Sequence, residues 1–281
     1  MTNADWADRA NAVLPAGGFG NFDHSIFIKK GLGARVWDED GNELIDYLIG
    51  SGPMLIGHGH PEVVEVVEKQ LKDGMTFFAN NTLGVELAEQ IIDDMACAEQ
   101  VRYVTSGGEA DMYAIRAARA FTGKAKVMKF EGGYHGMSAE AQMSLAPTKL
   151  VNFPEMFGAT PDLCPLGKIG GGGFPLAAIA GRADSMSHFD KAKVGADGFL
   201  MQLGTLSGNP IAAAAGVKTM EVLRREGTYE KLRADGARVM EMFRTHLGEA
   251  GHTVQIVGDE TLFDLAFIDR EVRDYRDYIA A

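Results

Sequence analysis

Apolar positions recur at two different periods along this chain, and their alternation predicts an α/β fold rather than an all-α or all-β one. After Pro61, the residues Val63, Val64, Val67 and Leu71 fall on one helical face, with proline at the helix start where its missing N–H costs nothing. From about Gly84, a second stripe is formed by Leu87, Ala88, Ile91, Ile92 and Met95. Residues 101–105 predict a strand, Ser106-Gly107-Gly108 a turn, and 109 to about 121 a helix. Residues 126–130 read as another short strand. Pro210 opens a helix that runs through four alanines to Leu223. A longer helix, roughly 229–247, carries Leu232, Val239, Met242 and Phe243. Period-two patterns lie near both ends. Val36-Trp37 and Leu44-Ile45 flank an Asp40-Gly41 turn in a predicted hairpin, and strands at 253–257 and 262–267 are separated by Gly258-Asp259. There is no internal repeat.

Composition narrows the function classes. With 281 residues, 46% of them hydrophobic, the chain can bury a sizeable core. A formal net charge of −12 argues against a nucleic-acid partner, which would need a basic face. Cys97 and Cys164 have neither CxxC spacing nor a histidine at finger spacing, so a zinc framework is not expected, and two reduced thiols suit a cytoplasmic protein. The first residues are polar and acidic with no apolar core of a signal peptide, and no apolar run is long enough to span a bilayer, so no membrane partner is expected. His58 and His60 form an HxH, but no carboxylate ligand set accompanies them, and no metal is expected.

Three glycine-rich clusters carry the candidate chemistry: 105–110 (Thr-Ser-Gly-Gly-Glu-Ala), 131–136 (Glu-Gly-Gly-Tyr-His-Gly) and Leu166-Gly167-Lys168-Ile169 with the glycines 170–173. Each alone has a plain reading as a turn, a hydrogen-bonded pair or a solvated lysine. Their combination is more informative. An aldehyde cofactor needs an amine to condense with, an aromatic platform to stack on and backbone N–H groups for its phosphate. Lys168, Tyr134 and the turn of Ser106, Gly107 and Gly108 can supply these three in that order. A glycine turn between strand and helix is an anion-binding geometry. Gly167-Lys168 is not a Walker A loop, since Ile169 stands where Ser or Thr is required, and 170–173 lacks the strand and acidic residue of a dinucleotide fingerprint.

Taken together, the stretches 47–61 (with Gly57-His58-Gly59-His60-Pro61), 105–123, 129–136, 160–182 and 204–210 (Gly-Thr-Leu-Ser-Gly-Asn-Pro) resemble the class-III, fold-type I aminotransferases that depend on pyridoxal 5'-phosphate (PLP), most of all the branch with glutamate-1-semialdehyde aminomutase. The resemblance covers most of 30–270. It implies a PLP-dependent transferase fold, with a large α/β domain of mostly parallel sheet and a small α+β domain built from both termini. The corresponding divisions are 1–50 for the N-terminal segment, 51–225 for the PLP-binding domain and 226–281 for an incomplete C-terminal part. It also implies PLP as cofactor, Lys168 as the catalytic Schiff-base lysine and Tyr134 beside His135 as the stacking aromatic. Ser106, Gly107 and Gly108 would form the phosphate turn, and Thr205 would reach the phosphate of a neighbouring subunit's cofactor. The partners implied are a second copy of the chain, a small-molecule amino donor and a keto or aldehyde acceptor.

Two departures from the family pattern stand out. Gly108 occupies a position where the family usually has threonine, removing one hydroxyl from the phosphate site. More importantly, the family has a long stretch between the Tyr-His-Gly loop and the lysine, including an Asp-Glu-Val segment whose aspartate pairs with the pyridine nitrogen. Here Asn152-Phe153-Pro154 runs directly into Glu155-Met156-Phe157-Gly158, so the large domain is shortened near 154/155. Without that aspartate the proton shift should slow severely, because the protonated ring is the electron sink. The leading expectation is therefore an aminotransferase or aminomutase. The alternative is a degenerate, non-catalytic PLP-fold binding or regulatory protein. Arg35 and the 19–27 loop are candidates to line the entrance, but mutase and transferase share every residue named here, and the substrate is not legible.

Overall fold

A computed structural model describes residues 1–18, 24–129, 133–139, 141, 160–202, 204 and 206–272. The first helix, α1 (Asn3–Val13), starts at a reciprocal cap in which Thr2 Oγ1 accepts from the Asp5 N–H at 3.2 Å and the Asp5 carboxylate accepts from the Thr2 N–H at 2.8 Å. Asn3 ties this helix to a three-stranded antiparallel meander of β1 (Ile28–Leu32), β2 (Arg35–Asp38) and β3 (Glu43–Ile45), donating to Asp38 at 3.0 Å and accepting from the Phe27 N–H at 3.0 Å. The expected hairpin is present, with Val36 opposite Leu44. Strand β1 is an addition: its Lys29-Lys30-Gly31 centre gives no alternating pattern to read.

Helix α2 (Pro61–Asp73) begins at its proline as expected. Helix α3 (Thr82–Asp94) begins before Gly84 because Asn81 Oδ1 accepts from the Gly84 N–H at 2.9 Å and so caps an earlier start. Strand β4 (Gln100–Val104) then feeds α4 (Gly107–Thr122), which closes on Gly123 in the left-handed region. Beyond it come β5 (Leu163–Leu166), β6 (Ala177–Gly181) and the short helices α5 (Ala183–Met186) and α6 (Lys191–Gly198). The C-terminal part holds α7 (Pro210–Leu223), α8 (Thr228–Glu249) and the hairpin of β7 (Gln255–Asp259) with β8 (Leu262–Ala266).

Two expectations are corrected. The mostly parallel sheet is not what the described residues form: they give a three-stranded sheet in the order β4-β6-β5, with β6 antiparallel to both neighbours. Parallel neighbours need a crossover of about a dozen residues or more, and the link from β5 to β6 spans only 167–176. The two outer strands still run in the same direction on either side of β6. The strand expected at 126–130 is also missing over 126–129, where Val127 and Met128 are exposed (Met128 at 95%) and no strand among the described residues pairs with them. Phe130 and the junction near 154/155 lie outside the described residues.

The core lies around α7, which is buried on nearly all sides. Its alanines let neighbours approach closely: Ala212, Ala213 and Val217 pack with Leu87 and Ile91 of α3, while Ile211 and Ala215 pack with Val63 and Val67 of α2. A Cβ on Gly216 would lie 2.5 Å from the Gly170 carbonyl oxygen, so only glycine allows α7 to meet the loop that follows β5. On the other face of β6, Ala177 and Ile179 pack with Ala110 and Ala114 of α4. The sheet thus fixes the start of α4, and α7 fixes the loop carrying Lys168.

Candidate active site

The start of α4 is organised by its own sequence. Ser106 caps the helix, its hydroxyl accepting from the Glu109 N–H at 3.3 Å, while the Glu109 carboxylate accepts from the Thr105 and Ser106 N–H groups at 2.9 and 3.0 Å. Burial works against the Glu109 charge, but these hydrogen bonds outweigh it and hold the carboxyl below its ordinary range. The capping box uses the amides on either side of Gly107 and Gly108. Those two N–H groups sit in the first helical turn, which has no intrahelical acceptors to offer and which bears the positive end of the helix dipole. A Cβ built on Gly107 would meet no atom within 4 Å, so the space in front of the turn is a cradle that a side chain would partly fill. An anionic group such as phosphate fits this end of the site.

The other two clusters converge on that cradle. Gly136 (φ 79°) lies so close that a Cβ there would sit 2.4 Å from the Gly108 Cα, an overlap only glycine avoids. This contact brings the Gly133-Tyr134-His135-Gly136 loop to the helix start, with Tyr134 70% exposed. Gly167 approaches from another side, its Cβ position 3.5 Å from the Gly107 Cα, and places Lys168 beside the cradle. Lys168 opens a 3-10 turn (Lys168–Gly171) in the left-handed region, φ 58°, unusual for a residue with a side chain. Its amine donates to the Ser51 carbonyl and lies 3.4 Å from the Ser51 hydroxyl. The amine and phosphate ends of an aldehyde cofactor therefore both have suitable groups here. A carboxylate for the ring nitrogen is not supplied by any residue nominated from sequence.

One residue of this neighbourhood was missed. Asp111 stands one helical turn after Gly107, on the same face of α4. Burial pushes its carboxyl above the ordinary range, and the charge of His135 pulls part of that shift back. The four-residue offset from Gly107 was the available signal. Arg35 is engaged by Glu43 across the hairpin, an exposed pair. Residues 19–23 of the 19–27 loop lie outside the described residues, as does Thr205. The described residues on either side of it are anchored. Gln202, 4% exposed, accepts from Arg102 Nε at 2.6 Å and donates to Ser207 Oγ at 3.2 Å, and Asn81 donates to the Gly208 carbonyl at 2.8 Å. His58, from the HxH, pairs with Asp46 at 2.7 Å, and its backbone bonds to Gly33. Among the described residues, no helix is long and apolar enough to cross a membrane.

Comparison with known proteins gives a consistent picture. The family model described as aminotransferase class-III matches residues 20–152 and 151–262. A glutamate-1-semialdehyde 2,1-aminomutase of Neisseria meningitidis serogroup A is 34% identical over 368 positions, covering 96% of this chain and 84% of that protein. That alignment is longer than the chain's 281 residues, so the relative carries internal sequence with no counterpart here. Among solved structures, an omega-transaminase from Sphaerobacter thermophilus superposes with a TM-score of 0.88 at 26% identity, covering 98% of this chain and 85% of that one. A transaminase with PLP bound gives 0.82 at 25% identity, covering 94% and 83%.

Proposed function

The chain belongs to the class-III aminotransferase family, and from that premise we propose that it binds PLP against the start of α4 and uses Lys168 to move an amino group between small molecules, as an aminotransferase or aminomutase. The observation that carries this reading is the convergence of the three glycine clusters, with Gly136 in contact with Gly108 and Gly167 in contact with Gly107. When bound, PLP supplies an aldehyde for amines and a ring that accepts electrons.

The chain's own residues take the remaining roles. The Gly107 and Gly108 amides hold the phosphate, assisted by the α4 dipole. The Tyr134 ring would stack on the cofactor, with His135 as its neighbour in the same loop. The Lys168 amine would hold the cofactor through its aldehyde, and the same Nζ would serve as the base that takes up and gives back the proton of the substrate's amine-bearing carbon. Thr205 serves the phosphate of a second copy, so the working unit in this reading is a homodimer with shared sites.

The test is the absorbance spectrum of the purified protein with added PLP, before and after a panel of amino acids and ω-amines. A band from lysine-bound cofactor that shifts on adding an amine is the expected result, and Lys168→Ala should abolish the band. A Lys168→Ala variant that keeps the band would overturn the assignment. A band that no amine shifts would favour the non-catalytic binder, a reading supported by the internal sequence that the relatives have and this chain does not.

A further inference from the structure

The Lys168 amine is not simply solvated: its contacts come from a turn 117 residues away in sequence. That turn has an unusual backbone. Ile49 (φ 46°), Gly50 (φ 64°), Ser51 (φ 65°) and Gly52 (φ 108°) all lie at positive φ, and Ile49 and Ser51 carry side chains, for which this region is unfavourable. Lys168 makes a third such residue in the same contact. A Cβ on Gly52 would lie 3.3 Å from Lys168 Cδ, so the lysine stem runs along the turn itself.

Strain of this kind persists only where surrounding structure enforces it, and here the enforcing group can be named. One oxygen of Asp46 accepts from the Leu48 and Ile49 N–H groups, both at 2.9 Å, and the other lies 2.7 Å from His58 Nε2. His58 is in turn clamped by paired backbone hydrogen bonds with Gly33, at 2.8 and 2.9 Å, which fix it to the β1–β2 connection. Within the turn, the Ser51 and Gly52 N–H groups are used by the Leu48 and Ile49 carbonyls. The Ser51 carbonyl is left pointing at Lys168. A chain of contacts thus runs from His58 through Asp46 and the turn to the lysine amine.

We propose that Asp46, braced by His58, is a positioning residue that holds the Ser51 carbonyl as the docking place for the free Lys168 amine. The proposal deepens the functional reading above and rests on it for its meaning: the docked state is the one Lys168 occupies when no cofactor is bound. The physical contact itself needs no cofactor, so it is testable in the cofactor-free protein.

The experiment measures the rate at which an amine-reactive ester acylates individual lysines, read by peptide mass spectrometry, with the exposed Lys69 and Lys124 as internal references. In the native chain Lys168 should react more slowly than both references. In Asp46→Ala its relative rate should rise by about tenfold or more, the effect of losing roughly one charge-assisted hydrogen bond, while the references stay unchanged. A folded Asp46→Ala protein with an unaltered Lys168 rate overturns the proposal. If that variant does not fold, Asp46→Asn replaces it, since its neutral oxygen accepts more weakly from the Leu48 and Ile49 amides and the charge facing His58 is gone. A Lys168 rate that rises in this variant supports the proposal, and an unaltered rate overturns it. A parallel sample with PLP separates the two levels. If PLP fails to protect Lys168 in the native chain, the cofactor reading fails; if PLP protects but the Asp46 variants leave the free rate unchanged, only the docking proposal fails.

Discussion

The cradle at the start of α4 and the turn that carries Lys168 face each other across the candidate site, yet they are held by opposite means. The cradle is relaxed and locally determined: Ser106 and Glu109 satisfy the helix start within a span of four residues. The lysine side is strained and determined from a distance. Ile49, Ser51 and Lys168 lie at positive φ, at about 1 kcal/mol or more each, and are kept there by Asp46 and by the packing of the 168–173 segment on α7. The difference teaches that the capped start of α4 can survive damage elsewhere, whereas the side that holds the Lys168 amine depends on the whole packed core.

The strongest way to break the contrast is to disturb the point where the relaxed half meets its covering loop. In Gly136→Val a Cβ would overlap the Gly108 Cα, and the residue would also be forced to hold φ 79°. We expect a loss of about 3 kcal/mol in stability, in the range of combined overpacking and backbone strain. PLP affinity should fall by about a hundredfold or more, since about 2.8 kcal/mol suffices for that factor. Denaturant unfolding and fluorescence titration with PLP measure the two effects separately, and a variant that binds like the native chain would show that the loop does not depend on this contact.

A smaller change sharpens the local character of the cradle. Glu109→Ala removes the reciprocal half of the capping box and should cost about 1 kcal/mol. The Glu109 carboxyl lies below its ordinary value of 4.5 in the folded chain, so its contribution is fully present above that value and is lost as pH falls through the lower folded one. Urea unfolding of both proteins between pH 7 and 3 should therefore show curves that differ at neutral pH and converge under acid. A constant difference across this range would mean that the carboxylate charge is not what stabilises the cap.

The mildest substitution restores a side chain. A Cβ on Gly108 would lie 3.5 Å from the Gly136 Cα and 3.6 Å from the Met137 nitrogen, both ordinary contacts, so the first carbon of a Gly108→Thr side chain fits without rearrangement. Its hydroxyl should raise PLP affinity by roughly fivefold, about 1 kcal/mol for one added hydrogen bond, with little change in unfolding. An affinity that falls would mean that the phosphate does not sit in front of this turn.

Legibility from sequence followed the same division. Helices opened by proline and the hairpin around Asp40-Gly41 are local features that appeared where their residues predicted. Gly107 and Gly108, read as a turn before the helix, are instead the first residues of α4, because Ser106 caps it. The central strand β6 was not read, because Ala177-Ala178-Ile179-Ala180-Gly181 is buried on both faces and is poor in β-branched and aromatic residues. Strand β5 contains Pro165, which argues against a strand unless it lies at an edge, as it does among the described residues. The parallel sheet expected from family resemblance did not appear among the described residues, and the 126–129 segment found no partner to pair with. Lys168, Tyr134 and the phosphate turn could be nominated from sequence, but the contact of Ser51 with Lys168 and the position of Asp111 depend on tertiary proximity that no periodicity reveals.

The wide sequence separation of the site's parts also has a kinetic consequence. Ser51, Gly107, Gly136 and Lys168 meet only after long loops have closed, the longest here joining residues 117 apart. Closing such loops costs chain entropy before any contact rewards it. The capped start of α4 can form early on its own, while the lysine reaches its partner only when α7 and the sheet are already in place. In the reading proposed above, a nascent or partly unfolded chain would therefore present its anion cradle before its docked amine, and capture of an aldehyde would be a late report that the rest of the molecule has folded.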